Sequence, residues 1–320
     1  MSDRAVQPFP VSVPFIVGPT AGGKSALALE VAIRAGGEVV SADAFQVYRR
    51  LDIASAKPTP DEQRTVRHHL IDAVEPTEAF TVHDWLAAAE AAIADIRGRG
   101  KTPVLVGGTH LYAKAFLEGL FEGPEADEAL RAELRAMGLA ALRAELERVD
   151  PAAASRLHPN DERRTVRALE VHRLTGRPIS DWQAQWDREA SLRPGVVLVG
   201  LDWPTEAINR RINARVRGMV EAGLLEETRA LDEAGRLGPQ AREALGTKQI
   251  LAHLAGACTL EEAVEKIKIE TRRFAKNQRT WLRRLRSTPG SVWIDAEREP
   301  PETWAGRVLQ AIGGGGTREP

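Results

Sequence analysis

Residues 17–30 read VGPTAGGKSALALE, and the stretch from Gly18 to Ser25 matches the pattern G-x-x-x-x-G-K-[ST] in full. The apolar FIV before it is a short β-type run. SALALEVAIRA after it has helical spacing, with Leu27, Val31 and Arg34 down one side and Leu29 and Ile33 near another. Strand, loop and helix in that order argue against an incidental glycine-rich turn. Glycines let the backbone curl until several N–H groups point inward, and the helix N-terminus adds the positive end of its dipole. Lys24 is placed to reach a terminal phosphate and Ser25 to hold Mg²⁺. A chain with this loop is expected to be α/β, with a P-loop type parallel sheet flanked by helices. The motif serves kinases, ATPases and GTPases alike, so it does not choose a reaction.

Two later strands narrow the choice. TPVLVGGTHLY ends in Gly107-Gly108-Thr109, where a phosphoryl-transfer enzyme is expected to carry a metal-holding Asp. EVVSADAFQVYRRLD ends at Asp43, and ligands of open α/β sheets lie off the carboxyl ends of the strands. Asp43 is therefore expected near the mouth of the loop, as a general base, a helix N-cap or a support for Mg²⁺. Gln46 follows three residues on, and a Gln amide matches the N6/N7 edge of adenine. His68 and His69 are spaced for opposite faces of a strand and read as structural.

The 320 residues suffice for one large or two modest domains. A net charge of -1 says nothing about a polyanionic partner, but the distribution of charge does. Over 267–286, Arg272, Lys276, Arg279, Arg283 and Arg286 share one helix face, and Phe274, Gln278, Trp281 and Leu285 fall on the other. Such a stripe is either a solvated face or a phosphate-contacting one, and the scarcity of acids favours phosphate. Residues 118–195 read as a mostly helical insertion domain, rich in Ala, Leu, Glu and Arg, with Pro151, Pro159 and Pro178 dividing its later elements. Arg163 and Arg167 share a face there, and Trp182 and Trp186 read as packing residues. The core is then 10–117 with 196–310, followed by a flexible tail over 311–320. The single cysteine, Cys258, excludes an internal disulfide and a cysteine metal site. MSDRAVQPFPVSVPF is not a signal peptide and no apolar run spans a bilayer, so a cytoplasmic monomer without a membrane partner is expected.

GPTAGGKS, SADAFQVYRRLDIASAKPT, HHLID, PVLVGGTHLY, RALEVHRLTGRPIS, RINARVRGMVEAGLLEE and TRRFAKNQRTW occur in this order. Over roughly 13–285 the set resembles the tRNA dimethylallyltransferase family. The resemblance implies transfer of a dimethylallyl group from its diphosphate to N6 of the adenosine 3′ of the anticodon, with Mg²⁺. The partners would be the anticodon stem-loop of tRNA and dimethylallyl diphosphate, and the loop would hold a departing diphosphate. By position, Gly18, Pro19, Thr20, Ala21, Gly22, Gly23, Lys24 and Ser25 match the diphosphate loop. Asp43 matches the general base, Asp43, Ala44, Phe45 and Gln46 a stretch on the target nucleotide, and Thr109 a residue near the reacting groups. Arg211, and with it Arg215, match arginines bracing the leaving diphosphate. The residues matched to tRNA contact are Arg163, Arg164, Thr165, Val166 and Arg167, with Arg131 beside them, and Ala244, Leu245, Gly246, Thr247, Lys248 and Gln249. The basic stripe of Arg272, Lys276, Arg279 and Arg283 joins these. Four positions depart from the family: Ala44 for Ser, His110 for Gly, Thr247 for an aromatic and Asn277 for Arg. A P-loop kinase and a noncatalytic P-loop RNA-binding protein are the competing readings.

Overall fold

The computed structural model describes residues 12–120, 123–183 and 193–313. Six strands form one all-parallel sheet: β1 Val13–Val17, β2 Glu38–Ala42, β3 His68–His69, β4 Pro103–Gly107, β5 Val196–Asp202 and β6 Val292–Asp295. Their order is β3-β2-β4-β1-β5-β6. β1 is flanked on both sides, Phe15 pairing with Leu105 of β4 and Leu198 of β5. β1, β2 and β4 are buried throughout, as strands covered by helices on both faces must be, and β1 and β4 accordingly run apolar without alternation. The loops after β1, β2, β4 and β5 open at the same carboxyl edge, which gathers Thr20, Asp43, Thr109 and Trp203 from distant parts of the chain.

The chain divides into two compact units, Met1–Leu117 with Leu192–Pro320 and Glu118–Ser191. The second is a small helical body around Leu134, Leu142, Leu146, Val166, Leu169 and Ile179. Its first helical stretch is broken in two, Glu128–Ala136 and Leu139–Val149, at Gly138. Glu170 is fully buried there. Burial pushes its carboxyl up, but donors from Arg167, the Asp127 N–H and Arg131 outweigh that and hold it below the usual range. Trp182 packs against this core as expected, while Trp186 lies outside the described residues.

In the first unit, the helix Leu260–Leu285 starts earlier than its basic stripe suggests, because Thr259 and Glu262 form a reciprocal cap. Gln278, Trp281 and Leu285 face inward, but Phe274 is 40 % exposed, a correction to the expected inward face. It sits at the edge of the buried stripe, where the helix turns from the core toward a cavity. The last helix, Pro301–Gly313, takes in the first three residues of the expected tail, and the rest of that tail lies outside the described residues. Among the described residues, no helix is long and apolar enough to cross a membrane.

β2 begins with a charge inside the sheet. Glu38 is 1 % exposed, and its carboxylate takes Arg99 at 2.5 and 2.8 Å, Lys101 at 2.8 Å and His69 Nε2 at 2.7 Å. The Arg99 fork, opposed by burial and helped by Lys101 and His69, holds the Glu38 carboxyl far below its usual range. This folded-state depression stabilises the protein above the unfolded value and is lost as pH falls below about 4. Because Arg99 and Lys101 remain partly exposed, Glu38→Gln should cost about 2 kcal/mol rather than the full buried-pair penalty. Thermal melts at pH 7 check the size of the loss. Melts from pH 5 to 3 should show a shallower decline for the variant.

Candidate active site

The phosphate loop is shaped before any ligand arrives. Gly23, the N-cap of helix Lys24–Arg34, has φ +93, a conformation that a side chain would strain. Trp203, just beyond β5, donates its indole N–H to the Gly22 carbonyl at 3.0 Å. The Arg211 guanidinium lies 4.7 Å over the Trp203 ring and donates through Nε to the Ala21 carbonyl at 2.8 Å. One helical turn on, Arg215 donates to Thr20 Oγ1 at 3.2 Å. Both arginines belong to helix Thr205–Glu221 and, with Ala214, wall a cavity of about 450 Å³ whose floor is Ala21 to Ala26.

Lys24 turns back on its own loop and donates to the Pro19 carbonyl at 2.8 Å. Burial, then the field of Arg215, lower its pKa to about 8, with Asp43 partly opposing them. Arg215 is pulled down by burial as well, again with Asp43 in opposition. Among the described residues, no carboxylate lines this cavity. Two desolvated cations over a ring of amides form a site for a multiply charged anion. For Mg²⁺ the cavity offers the Ser25 hydroxyl alone, and among the described residues no cluster of His, Cys, Asp or Glu could hold a metal. That donor set fits an ion carried mainly by phosphate oxygens and water, as Mg²⁺ commonly is.

A second cavity, about 580 Å³, adjoins the first at Arg215. Thr20, Asp43, Thr109 and Glu270 give it polar points, and Phe45, Val216, Met219, Leu245, Ile267 and Phe274 give it apolar wall. Asp43 Oδ1 caps the following turn, accepting from Phe45 N–H at 2.9 Å and Gln46 N–H at 3.3 Å. The capping and functional readings of Asp43 are thus compatible, one oxygen serving the turn. Thr109 Oγ1 accepts from Ala44 N–H at 3.1 Å, which leaves its hydroxyl proton to donate elsewhere. The Gln46 amide is occupied within the protein, accepting from Ser41 Oγ and donating to the Ser55 and Ala56 carbonyls. Glu227 grips the same loop by accepting from the N–H groups of Asp52, Ile53 and Ala54. Ala44, His110 and Asn277 line this cavity, and the His110 ring lies 4.6 Å from that of Trp281, tilted by 41°.

The residues matched to tRNA contact divide sharply. Arg272, Lys276, Arg279 and Arg283 line a groove of about 760 Å³ beside helix Thr205–Glu221, with Arg273 and Arg286 among them and Asp202 as its acid. Arg272 and Arg279 are propped by Asn213 and Thr205, both at 2.6 Å. Ala244, Gly246, Thr247 and Gln249 are buried, and Gln249 spends its amide on Gly246 N–H and Glu270. Leu245 lines the second cavity, and Lys248 is exposed but paired with Glu243. In the helical unit Thr165 and Val166 are core residues, so their side chains offer nothing to a nucleic acid, and Arg131 and Arg167 hold Glu170. Arg163 and Arg164 are exposed. Sequence reasoning missed Trp203, Glu227 and the role of Gln278, whose amide meets the phosphate loop. Trp203 alone carried a signal, its place just past a strand end.

These loops on one parallel sheet set a glycine-rich loop with two flanking cations beside a cavity of mixed polar and apolar lining. The chain matches the model of the IPP transferase family over residues 46–285 and belongs to that family. It is 46 % identical over 285 residues to the tRNA dimethylallyltransferase of Geobacter sulfurreducens, covering 88 % of this chain and 90 % of that one. Against the full-length tRNA isopentenylpyrophosphate transferase of Bacillus halodurans the TM-score is 0.69 at 38 % identity, over 95 % of this chain and 97 % of that one. A eukaryotic dimethylallyltransferase acting on tRNA gives a TM-score of 0.80 at 27 % identity, over 97 % of this chain and 81 % of that one.

The Lys24 shift has a sign that can be read in solution. Below about pH 8 the free protein carries the ammonium that an anion needs, and above it the amine is neutral. Affinity for an alkyl diphosphate, whose own ionisation is finished above about pH 7, should therefore fall as pH rises past 8. The slope should approach about tenfold per unit. Titration calorimetry from pH 7 to 9.5 checks this, and Lys24→Arg, permanently charged, should flatten the profile.

Proposed function

We propose that this protein transfers a dimethylallyl group from dimethylallyl diphosphate to N6 of the adenosine 3′-adjacent to the anticodon of tRNA, releasing diphosphate. The carrying observation is the junction of the two cavities at Arg215: an anion cradle without a carboxylate opens into an apolar-walled chamber holding Asp43. The relatives, a tRNA dimethylallyltransferase and a dimethylallyltransferase acting on tRNA among them, support the same reading. A kinase would need a metal-holding carboxylate after β4, and Gly107-Gly108-Thr109 stands there. The protein works as a cytoplasmic monomer.

The allylic carbon gains positive charge as its oxygen leaves, and the diphosphate gains negative charge. Loop N–H groups, Lys24, Arg211 and Arg215 meet that growing charge from fixed positions. Ser25 would help to hold Mg²⁺, and the ion would supply Lewis-acid stabilisation to the leaving group. The apolar wall of Phe45, Val216, Met219 and Ile267 keeps water from the electron-poor carbon. Adenine N6 bonds to that carbon as the carbon–oxygen bond breaks, and the proton it sheds passes to Asp43. The adenine must leave its stack to enter the chamber. The groove of Arg272, Lys276, Arg279 and Arg283 holds backbone phosphates of the same RNA.

Incubation with unmodified tRNA and dimethylallyl diphosphate, with Mg²⁺ and without ATP, should add one dimethylallyl mass to a single adenosine. An absolute need for ATP would overturn the reading. Asp43→Asn keeps an oxygen for the cap but cannot accept the proton. Its single-turnover rate should fall by about 10²–10⁴-fold, with tRNA affinity within about threefold. Replacing Lys276 and Arg283, two exposed cations of the groove, should weaken tRNA binding and reduce the slope of log K against log salt by about one per lost phosphate contact. Filter binding between 50 and 200 mM salt measures that slope.

A further inference from the structure

Helix Leu260–Leu285 returns one side chain to the phosphate loop across 258 residues of sequence. Gln278 is 5 % exposed. Its Oε1 accepts from the Thr20 N–H at 2.8 Å and its Nε2 donates to the Gly108 carbonyl at 2.8 Å. Thr20 belongs to the loop after β1, and Gly108 joins β4 to Thr109. The fit is close: a Cβ at position 108 would stand 2.3 Å from Gln278 Nε2, so the amide head would have to move from its place. The next link runs from Thr109, whose Oγ1 accepts from the Ala44 N–H beside Asp43. One primary amide thus ties the anion cradle to the loop that holds the backbone next to the carboxylate. Gln278 lines neither cavity. The Thr20 N–H is also committed to Gln278, while the Thr20 hydroxyl is committed to Arg215.

We propose that Gln278 is a positioning residue, which sets the spacing between the diphosphate cradle and Asp43 without touching either substrate. The inference rests on the transfer reaction proposed above. The bridge needs an acceptor and a donor on one planar head, which an amide supplies at any pH. A carboxylate supplies the acceptor alone, and a carboxylic acid supplies both. A thioether of similar length supplies neither to any useful extent. Misplacement by about 1 Å is worth on the order of a hundredfold in rate.

The test compares wild type, Gln278→Met and Gln278→Glu in single-turnover transfer to unmodified tRNA between pH 6 and 8.5. Gln278→Met should slow the step by about 30- to 100-fold at every pH, with KM for prenyl diphosphate and for tRNA within about threefold of wild type. Gln278→Glu should be as slow at pH 8.5 and recover by about tenfold relative to wild type at pH 6. There the buried carboxyl takes up a proton and donates to Gly108 again. Taking the ratio to wild type cancels titrations common to both proteins. A Gln278→Glu ratio flat with pH, or Gln278→Met within twofold of wild type, overturns the proposal. Residue-resolved hydrogen exchange on the wild type needs no variant to fold. The Thr20 amide should be slow in the free protein and unchanged by diphosphate, while Lys24 and Ser25 amides gain protection. A freely exchanging Thr20 amide overturns the bridge. Wild type that moves no prenyl group fails the transfer reading instead, and the exchange result still stands by itself.

Discussion

Lys24 and Arg215 stand over one glycine-lined loop, partly withdrawn from water and facing no carboxylate within their cavity. Holding charge in this way costs the folded protein on the order of a few kcal/mol, which a chain selected for stability alone would not retain. The loop is correspondingly braced from outside. Trp203 holds the Gly22 carbonyl, Arg211 the Ala21 carbonyl and Gln278 the Thr20 N–H. These contacts commit several loop groups to the protein and brace the shape of the cradle. That is the preorganisation an electrostatic catalyst requires, because dipoles that must turn during the reaction return part of their stabilisation.

Much of this was legible in the chain. Gly18 to Ser25 between an apolar run and a helical run fixed β1, the loop and the first helix, because backbone geometry and phosphate chemistry there depend on neighbours in sequence. Asp43 and Thr109 could be placed by the rule that strand ends gather at one edge of a parallel sheet. The basic stripe of the long helix followed from 3.6-residue spacing, and its lining of an open groove agrees with that. The start of the helix was readable too, in the Thr259–Glu262 spacing of a capping box, but the cations farther on drew attention away from it. What stayed hidden depends on contact between distant segments. Gln278 reads as one inward polar residue among many, and nothing local says that its head meets Thr20 and Gly108. Thr165 and Val166 follow two exposed arginines in RRTVR, yet the helix turns them into the core. A run of neighbours on a helix never shares a face, so a matched stretch is a poor guide to which of its members touch a partner.

Phe274 shows the same limit from the other side. Periodicity grouped it with Trp281 and Leu285, but a residue at the edge of an apolar stripe can face either core or cleft. Here the cleft is the chamber beside Asp43, and an exposed aromatic on its wall suits a flat base or an allyl group better than water does. His110 and Asn277 stand on the same wall. Three of the side chains that shape the chamber therefore come from positions whose burial could not be read from pattern.

The cradle and the chamber make opposite demands on water, and their junction reconciles them. Diphosphate needs strong donors, yet the allylic carbon must meet nothing more nucleophilic than the adenine amine. A cradle lined with carboxylates would hold metal more firmly but would also repel the charge that builds as the bond breaks. Among the described residues the carboxylates of Asp43, Glu243 and Glu270 all stand in the chamber beyond Arg215, away from the cradle. The cost falls on release, since free diphosphate carries more charge than its ester and binds the same cations more tightly. Arg211 has partners within the protein, the Trp203 ring and the Ala21 carbonyl.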